Sequence, residues 1–145
     1  VDNLHLKSGI HPELIAELHG NMTKLRCKRC EKTIDQISRK TKCPCGGRLV
    51  SSVVDFGQSL PKKDLSLSFE HSRNSDLFMV VGSSLVVTPA VEMPREALSA
   101  GAKLVIINQG ETPFDSQARL RFHEEIGDVL PRAVKRLKRL MGLYE

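Results

Sequence analysis

The sequence predicts an α/β fold: a Rossmann-like parallel sheet with helices on both faces, joined to a small zinc-ribbon module. Two apolar runs typical of buried strands, Leu77–Val81 and Lys103–Ile107, flank a stretch of helical character. Strand and helix units that repeat in this way indicate a parallel sheet. The four cysteines lie in two close pairs within one segment, as in zinc modules. We therefore predict a partial Rossmann-like domain over 1–21 and 52–145, with an inserted zinc-binding module over 22–51.

The first predicted element is a helix over 12–18. Pro12 suits a first helical turn because its missing N–H is not needed there, and the apolar residues that follow it share one face. Gly20 ends the pattern, which leaves His19 at or just beyond the helix terminus. From 22 to 50 the chain has no amphipathic helix that could build a core, so this segment needs a metal as a staple.

The remainder of the chain alternates between strands and helices. The apolar run from 77 to 81 is continuous, which predicts a strand buried on both faces. In order, we predict a strand over Ser52–Phe56, a strand over Leu77–Val81, a helix over Ala90–Ala100 capped by Gly101, strands over Lys103–Ile107 and Leu120–Phe122, and a helix from about Asp128 to Met141.

Composition excludes several classes of function. No apolar run approaches the roughly 20 residues of a membrane span, and aromatic residues make up only 4% of the chain, with no Trp, so a base-stacking surface is not expected. The chain starts at Val1 without a leader or initiator Met, which predicts an intracellular protein, cytoplasmic or nuclear, and a sequence that begins partway through a longer one. The net charge of +5 leaves nucleic-acid or chromatin contact open.

The cysteines offer four soft ligands for one tetrahedral zinc ion. Cys27 and Cys30 are separated by two residues, Cys43 and Cys45 by one, and twelve residues lie between the pairs. Because four protein ligands leave no position for a substrate, the zinc is expected to be structural. Free or redox-active cysteines are the alternative.

Small polar residues follow two of the predicted strands. Gly82, Ser83 and Ser84 come after the first, and Asn108 begins the Asn-Gln-Gly sequence after the second. Ligands of parallel sheets bind at the carboxyl ends of the strands, so these residues are candidates for nucleotide binding. Ordinary turn and cap chemistry uses the same residue types and is the competing interpretation.

Several separated motifs occur in one order, and together they resemble the sirtuins, the NAD-dependent protein-lysine deacylases. Two stretches, Gly20–Met22 and Ser59–Leu65, are most similar to the branch that contains human sirtuins six and seven. The motifs are Asp2-Asn3-Leu4-His5, Glu17-Leu18-His19-Gly20-Asn21, the paired cysteines, Val54-Asp55-Phe56-Gly57-Gln58-Ser59-Leu60-Pro61, the stretch from Gly82-Ser83-Ser84 to Pro89, and Ile107-Asn108.

The resemblance implies a set of site residues. His19 would be the general base, which removes a proton from the nicotinamide ribose after the acyl oxygen of the substrate lysine has displaced nicotinamide. The segment from Val54 to Gln58 would pair as a strand with the substrate peptide. The implied residues are Asp2, Gly82, Ser83, Ser84, Asn108 and Ile126 for NAD; Val54, Asp55, Phe56 and Gly57 for substrate; and Cys27, Cys30, Cys43 and Cys45 for zinc.

The sequence also departs from the family pattern. Asp55 and Gln58 stand where many sirtuins have Trp and Glu, and the glycine-rich NAD loop and the Gln-Asn pair expected before Asp2 are not in this sequence. We therefore expect a C-terminal two thirds of a sirtuin, inactive as this fragment, whose complete form acts on an acylated-lysine protein such as a histone. A noncatalytic interaction module and a zinc-ribbon nucleic-acid or chromatin binder are the alternatives.

Overall fold

The computed structural model describes residues 1–38 and 40–143. The chain divides into two compact units, Val1–Ser68 and Phe69–Glu145. The helices and strands, in chain order, are α1 (Leu4–Lys7), β1 (Lys24–Cys27), β2 (Thr33–Asp35), β3 (Leu49–Ser51), α2 (Lys62–Arg73), β4 (Leu77–Val81), α3 (Glu92–Ser99), β5 (Lys103–Ile107), β6 (Leu120–Phe122) and α4 (Ile126–Leu140).

The first unit contains an antiparallel sheet in the order β2-β1-β3. Leu25 of β1 lies opposite Ile34 on one side and Ser51 on the other. The buried apolar cluster of this sheet consists of Cys27, Cys43 and Leu49, with Leu25 and Ile34 packed against it. Two of its three buried members are cysteines, so the segment has little apolar packing beyond its sulfur atoms.

The predicted helix over 12–18 is wrong. Only a single 3-10 turn forms, over Pro12–Leu14, and Ile15 is extended, with φ −116° and ψ 125°. The N–H of Glu17 donates to the Asp64 carboxylate at 3.0 Å. Because that N–H bonds to a distant side chain, it is not available to an intrahelical carbonyl, and tertiary contacts override local helix propensity.

The predicted strand over Ser52–Phe56 is also wrong, because the sheet pairing of β3 stops at Ser51. The Ser52 N–H still donates to the Lys24 carbonyl of β1 at 3.1 Å, but the Ser52 hydroxyl and the Val54 N–H bond to residues that precede β1. The Ser52 hydroxyl donates to the Asn21 carbonyl at 2.6 Å, and the Val54 N–H donates to the His19 carbonyl at 3.1 Å.

The second unit is built on a parallel sheet in the order β4-β5-β6. The three strands have the bounds that the sequence predicts. Val80 lies beside Ile106, and Ile107 beside Phe122. The parallel pairing and the helices described next confirm the predicted Rossmann-like fold.

The two faces of β5 are covered by different helices. On one face Leu104 and Ile106 are buried with Val80 and Phe114, against residues that include Val91 and Leu98 at α3. On the other face Val105 and Ile107 pack against Val129 and Leu130 of α4.

Strand β4 is covered on one face only. Leu77, Met79 and Val81 are 54%, 45% and 39% exposed. They lie beside residues 103, 105 and 107 and so share the α4 face, but α4 packs on β5 and β6. The prediction that β4 is buried on both faces is therefore wrong, whereas β5 is covered on both faces.

Two predicted helices are confirmed within a few residues of their expected ends. Helix α3 begins at Glu92 and ends at Ser99, and the N–H of Gly101, with φ +95°, bonds back to the Leu98 carbonyl. Helix α4 buries its first turns through Val129, while the apolar residues of its later turns, including Leu137, are exposed. Helix α2 was not predicted. Among the described residues no helix meets the length and apolarity that crossing a membrane requires.

Candidate active-site segments and metal centre

His19 lies in a turn between the extended Ile15 and β1, and its side chain is exposed. Gly20, at φ +69°, is buried, and its N–H donates to the Glu17 carbonyl at 2.8 Å. A Cβ at position 20 would lie 1.9 Å from the Ser52 carbonyl oxygen. Only glycine allows this close approach of two backbones, and the approach holds His19 beside the chain that follows β3.

The predicted substrate segment begins at that point of contact. Val54 is half-buried and bonds through its N–H to the His19 carbonyl. Asp55, Phe56 and Gly57 are exposed, and Phe56 is 95% exposed. A turn closes the segment, because the Gln58 N–H donates to the Asp55 carbonyl at 3.1 Å. An aromatic ring so completely exposed is typical of a contact surface rather than a core.

Asn21 is the buried polar centre of the first unit, with 1% exposure. Its Nδ2 donates to Asn3 Oδ1 at 2.7 Å and to Glu17 Oε1 at 2.6 Å. Its Oδ1 accepts from the Thr23 N–H at 2.9 Å and from the Thr23 hydroxyl at 2.8 Å. All four hydrogen-bonding positions of the amide are used, which fixes the backbone two residues after His19.

Asp2, a predicted cofactor residue, lies just before α1 and bonds to its first residue. Its Oδ1 accepts from the Leu4 N–H at 3.0 Å. That bond lowers the pKa of the Asp2 carboxyl below its usual value, so the side chain is a carboxylate at neutral pH.

The four cysteine sulfurs converge. All lie within 4.8 Å of one another, and three of the separations are 3.5 Å for Cys27 and Cys45, 3.6 Å for Cys30 and Cys43, and 3.4 Å for Cys30 and Cys45. Four sulfurs about 2.3 Å from one zinc ion would lie ~3.8 Å apart. A Cβ at Gly47 would be 2.5 Å from the Cys27 sulfur. The soft donor set, its spacing and this glycine fit a tetrahedral metal.

The thiols of the cluster differ in acidity. The backbone N–H groups of Cys30 and Arg29 stabilise the Cys27 thiolate and lower the pKa of Cys27 to about 6. At Cys30 the Lys32 N–H lowers the pKa, but the Cys45 sulfur and burial outweigh it and raise the pKa to about 12. The Cys27 sulfur is therefore the more readily ionised of the two, and metal binding requires the thiolate form.

In the second unit, the predicted NAD residues lie at the carboxyl ends of the strands. The Gly82 N–H donates to the Ile107 carbonyl at 2.9 Å, and the Asn108 N–H donates to the Phe122 carbonyl at 3.1 Å. Gly82 adopts φ +65°, and a Cβ there would be 3.0 Å from Ile126 Cδ1. Gly82, Asn108 and Ile126 therefore lie at one edge of the sheet. Ser83 and Ser84 follow Gly82 and are exposed there.

The model of the Sir2 family matches residues 1–89 of this chain. The chain belongs to the Sir2 family. This finding confirms the resemblance to sirtuins that the sequence motifs indicated.

Relatives of this Sir2 chain extend the match to its C-terminal part. It is 40% identical over 134 residues to an NAD-dependent protein deacetylase of Oceanobacillus iheyensis, covering 90% of this chain and 56% of the relative. It is 40% identical over 152 residues to NAD-dependent protein deacylase 2 of Archaeoglobus fulgidus, covering 97% of this chain and 58% of the relative. The chain thus spans less than two thirds of the length of either relative.

A solved structure of Sir2 with p53 peptide and NAD⁺ is similar to this chain, with a TM-score of 0.73 and 35% identity. The match covers 99% of this chain and 61% of that one. Together with the parallel sheet, this similarity confirms the predicted fold class.

Within each unit, the Sir2 chain brings predicted residues together. His19 and Val54 bond to each other in the first unit, and Gly82 and Ile126 approach in the second. Sequence reasoning did not single out Ser52, whose hydroxyl donates to the Asn21 carbonyl, although its position two residues before Val54 was a signal.

Arg121 was also missed. Its side chain is 12% exposed, and its Nε donates to Asp115 Oδ1 at 2.8 Å. Its guanidinium also donates to the carbonyl oxygens of Asn108, Gly110 and Phe122. The signal was an arginine inside the apolar strand β6, since a buried guanidinium requires several acceptors. It fixes the loop that begins at Asn108.

Proposed function

We propose that this chain carries the general base, the substrate-binding segment and part of the NAD site of an NAD-dependent protein-lysine deacylase. The observation that carries the proposal is the exposed His19 imidazole on a backbone bonded to the Val54 segment, in a chain of the Sir2 family. The relatives named as NAD-dependent deacetylase and deacylase support the choice of reaction.

In this reaction the acylated lysine, NAD and one water molecule give the free lysine amine, acylated ADP-ribose and nicotinamide. When bound, NAD supplies the ribose carbon that takes the acyl oxygen as nicotinamide leaves. His19 then accepts a proton from a ribose hydroxyl. An imidazole suits this task because its ordinary pKa lies near physiological pH.

The substrate peptide would add as a strand along Val54, Asp55, Phe56 and Gly57. Main-chain hydrogen bonds provide affinity in this mode and tolerate varied sequences. The exposed Phe56 would contact the aliphatic part of the acylated lysine. This assignment uses the residues from 55 to 57 that the structure leaves exposed.

We assign the NAD contacts to Asp2 near nicotinamide, to Gly82, Ser83 and Ser84 beside the phosphates and ribose, to Asn108 at the adenosine ribose and to Ile126 at the adenine. Three features support these roles. Gly82, at φ +65°, allows close approach of the backbone, and the hydroxyls of the two serines can bond to ribose or phosphate. Gly82, Asn108 and Ile126 also share the carboxyl edge of a parallel sheet.

The cysteine cluster is assigned a structural zinc ion, held by Cys27, Cys30, Cys43 and Cys45. Zinc would lie within an inserted module of residues 22–51, with the Rossmann-like domain formed by 1–21 and 52–145. Support comes from β1, β2 and β3, which pair only with one another within the described residues. With four protein ligands the ion has no place for substrate and takes no part in the chemistry.

Three finer assignments accompany this proposal. We propose, from the similarity of the Gly20–Met22 and Ser59–Leu65 motifs, that the chain belongs to the branch of human sirtuins six and seven, which a phylogenetic tree of the aligned region tests. The substrate would be an acylated histone or other chromatin protein, and the location intracellular, in the cytoplasm or the nucleus. Both are tested by isolating acylated proteins that accumulate when the gene is deleted and by imaging the tagged protein.

The function is tested by incubating an acetyl-lysine peptide with NAD and measuring nicotinamide and acylated ADP-ribose. The assay uses the 145-residue chain and a longer version with any residues that its gene encodes before Val1. One nicotinamide should form for each acyl group transferred. If neither protein consumes NAD, the proposal is wrong.

Two other outcomes are informative. Peptide binding without NAD binding in calorimetric titration would favour a noncatalytic interaction module. Retarded migration of DNA or RNA that persists at moderate salt would instead favour a zinc-ribbon nucleic-acid binder, since contacts with phosphates alone weaken steeply as salt rises.

A further inference from the structure

We propose that Ser52 is a positioning residue for the proposed deacylation. Its hydroxyl bonds twice to the backbone of Asn21 and thereby holds the His19 turn in register with the substrate segment Val54–Gly57. The inference rests on the proposed function for its catalytic consequence, but the contacts themselves are features of this chain.

The two hydrogen bonds form a closed pair, called here the Ser52 clasp. The Asn21 N–H donates to Ser52 Oγ at 3.1 Å, and the Ser52 hydroxyl donates to the Asn21 carbonyl at 2.6 Å. Ser52 is 3% exposed and Asn21 1% exposed. Water cannot replace either bond easily at such burial, so loss of the hydroxyl leaves a buried N–H without its partner.

Both ends of the clasp are fixed independently. The Ser52 N–H donates to the Lys24 carbonyl at 3.1 Å, which ties Ser52 to the start of β1. The Asn21 side chain bonds to Asn3, Glu17 and Thr23. Because Ser52 and Asn21 are each held by other bonds, the hydrogen bonds between them fix the position of one segment relative to the other in addition to stabilising the fold.

The clasp lies between the two functional segments. Asn21 follows His19 by two residues, and Ser52 precedes Val54 by two. The next contact along this pairing is the Val54 N–H bonded to the His19 carbonyl at 3.1 Å. Ser52 therefore acts on the general base and on the substrate strand through adjacent bonds, without contacting substrate itself.

The test compares Ser52→Ala with Ser51→Ala. Ser51 is its exposed neighbour, and its hydroxyl accepts a local bond from the Val53 N–H at 3.2 Å. Ser52→Thr retains a hydroxyl and serves as the conservative rescue. Zinc content and thermal unfolding verify that each variant is folded.

The first readout is amide hydrogen exchange in the 145-residue chain. We expect the Val54 and Asn21 amides to exchange ~10-fold faster in Ser52→Ala, the equivalent of one lost net hydrogen bond, and to be unchanged in Ser51→Ala. Equal exchange in the two alanine variants would overturn the clasp. If Ser52→Thr does not fold, this comparison decides alone.

The second readout compares the rates of acylated ADP-ribose formation and nicotinamide release. It uses the 145-residue chain or the longer version, whichever shows deacylase activity. Because displacement of a reacting group by about 1 Å can cost up to ~100-fold, Ser52→Ala should lower kcat for acylated ADP-ribose at least ~10-fold. Measured within a single turnover, nicotinamide release, which precedes the step of His19, should slow less than formation of acylated ADP-ribose. An equal fall in both rates would overturn the positioning role.

The two proposals fail differently. Absence of NAD-dependent turnover in every variant, wild type included, contradicts the proposed function. The exchange experiment still decides whether the clasp holds the His19 turn to the Val54 segment.

Discussion

The two units of this chain maintain their structures by different means. The parallel sheet of the second unit is held by apolar side chains on both faces of β5, where Leu104, Ile106 and Ile107 are almost completely buried. The first unit has a small apolar cluster, two of whose three buried members are cysteines. Its order comes from the sulfur cluster and from the hydrogen bonds of Asn21 and Ser52.

The difference shows where each unit is vulnerable. Apolar burial is spread over many atoms, so a single loss is tolerated in part. A polar network or a metal cluster depends on each member, because an unpaired buried group costs the full desolvation penalty. The proposed catalytic segment lies in the first unit, which depends on a polar network and a metal cluster. The position of its functional residues therefore depends on a few atoms.

Metal removal should give the largest effect. Chelation of zinc should unfold residues 22–51, with loss of apparent binding free energy on the order of 10 kcal/mol, while β4, β5 and β6 retain slow amide exchange. Hydrogen exchange with and without chelator measures this. If the β1, β2 and β3 amides remain protected in the metal-free chain, the claim that the first unit depends on its metal is wrong.

Gly20→Ala should be the most damaging single substitution. The added Cβ would lie 1.9 Å from the Ser52 carbonyl oxygen, and we expect a loss of about 4 kcal/mol or more in unfolding free energy. Gly101→Ala is the matched control, since Gly101 is also at positive φ but a Cβ there meets nothing within 4 Å. It should cost only the backbone strain of ~1–2 kcal/mol. Similar costs for both variants would contradict the close backbone contact.

Ile106→Ala tests the second unit. The side chain is 0% exposed, so its truncation should cost ~2–5 kcal/mol by leaving a cavity. Leu77→Ala, at a position that is 54% exposed, should cost less than about 1 kcal/mol. Urea unfolding with separate probes for each unit measures both, and an equal response of the two variants would show that β5 is not the core of the sheet.

Arg121→Lys should affect binding more than folding. Lysine keeps the charge but cannot donate to Asp115 and to three carbonyls as the planar guanidinium does. The loop from Asn108 should loosen, and the KM for NAD should rise about tenfold, or ~1.4 kcal/mol. The exposed Arg119 provides the control Arg119→Lys. A rise in KM of the same size in both variants would refute the role of Arg121.

Acid should give the smallest effect, at Asp115. The Thr112 hydroxyl and then Arg121 hold the pKa of the Asp115 carboxyl below its ordinary value of 3.8. This stabilisation is complete above pH 3.8 and is lost as the pH falls through the folded-state pKa. Thermal unfolding of the second unit between about pH 2 and 5 should therefore depend less on pH in Asp115→Asn. An unchanged profile would show that the carboxylate contributes nothing.

The sequence predicted the second unit better than the first for a physical reason. Strand and helix patterns reflect local side-chain burial, and β4, β5, β6 and α4 follow those patterns. Exposure of Leu77 on β4 was not predictable, because it depends on which helix covers which strand. The helix expected over 12–18 failed because the Glu17 N–H bonds to Asp64, 47 residues away in sequence.

The site shows the same division. The spacing of the cysteines in the sequence predicted the sulfur cluster that the structure shows, because a shared metal ion restricts how far apart its ligands lie in the sequence. The motif around His19 identified the residue but not its support. Ser52 and Arg121 act through contacts across 31 and 13 residues of sequence, respectively. Their local sequence could mark them as candidates but could not identify these partners.

The central claim is that His19 is the general base of an NAD-dependent deacylase. The most direct measurement is the rate of acylated ADP-ribose formation in His19→Ala and in His11→Ala, another exposed histidine of the first unit. We predict a loss of roughly 100- to 10,000-fold for His19→Ala and a wild-type rate for His11→Ala. A His19→Ala protein that forms the product at the wild-type rate would contradict the account.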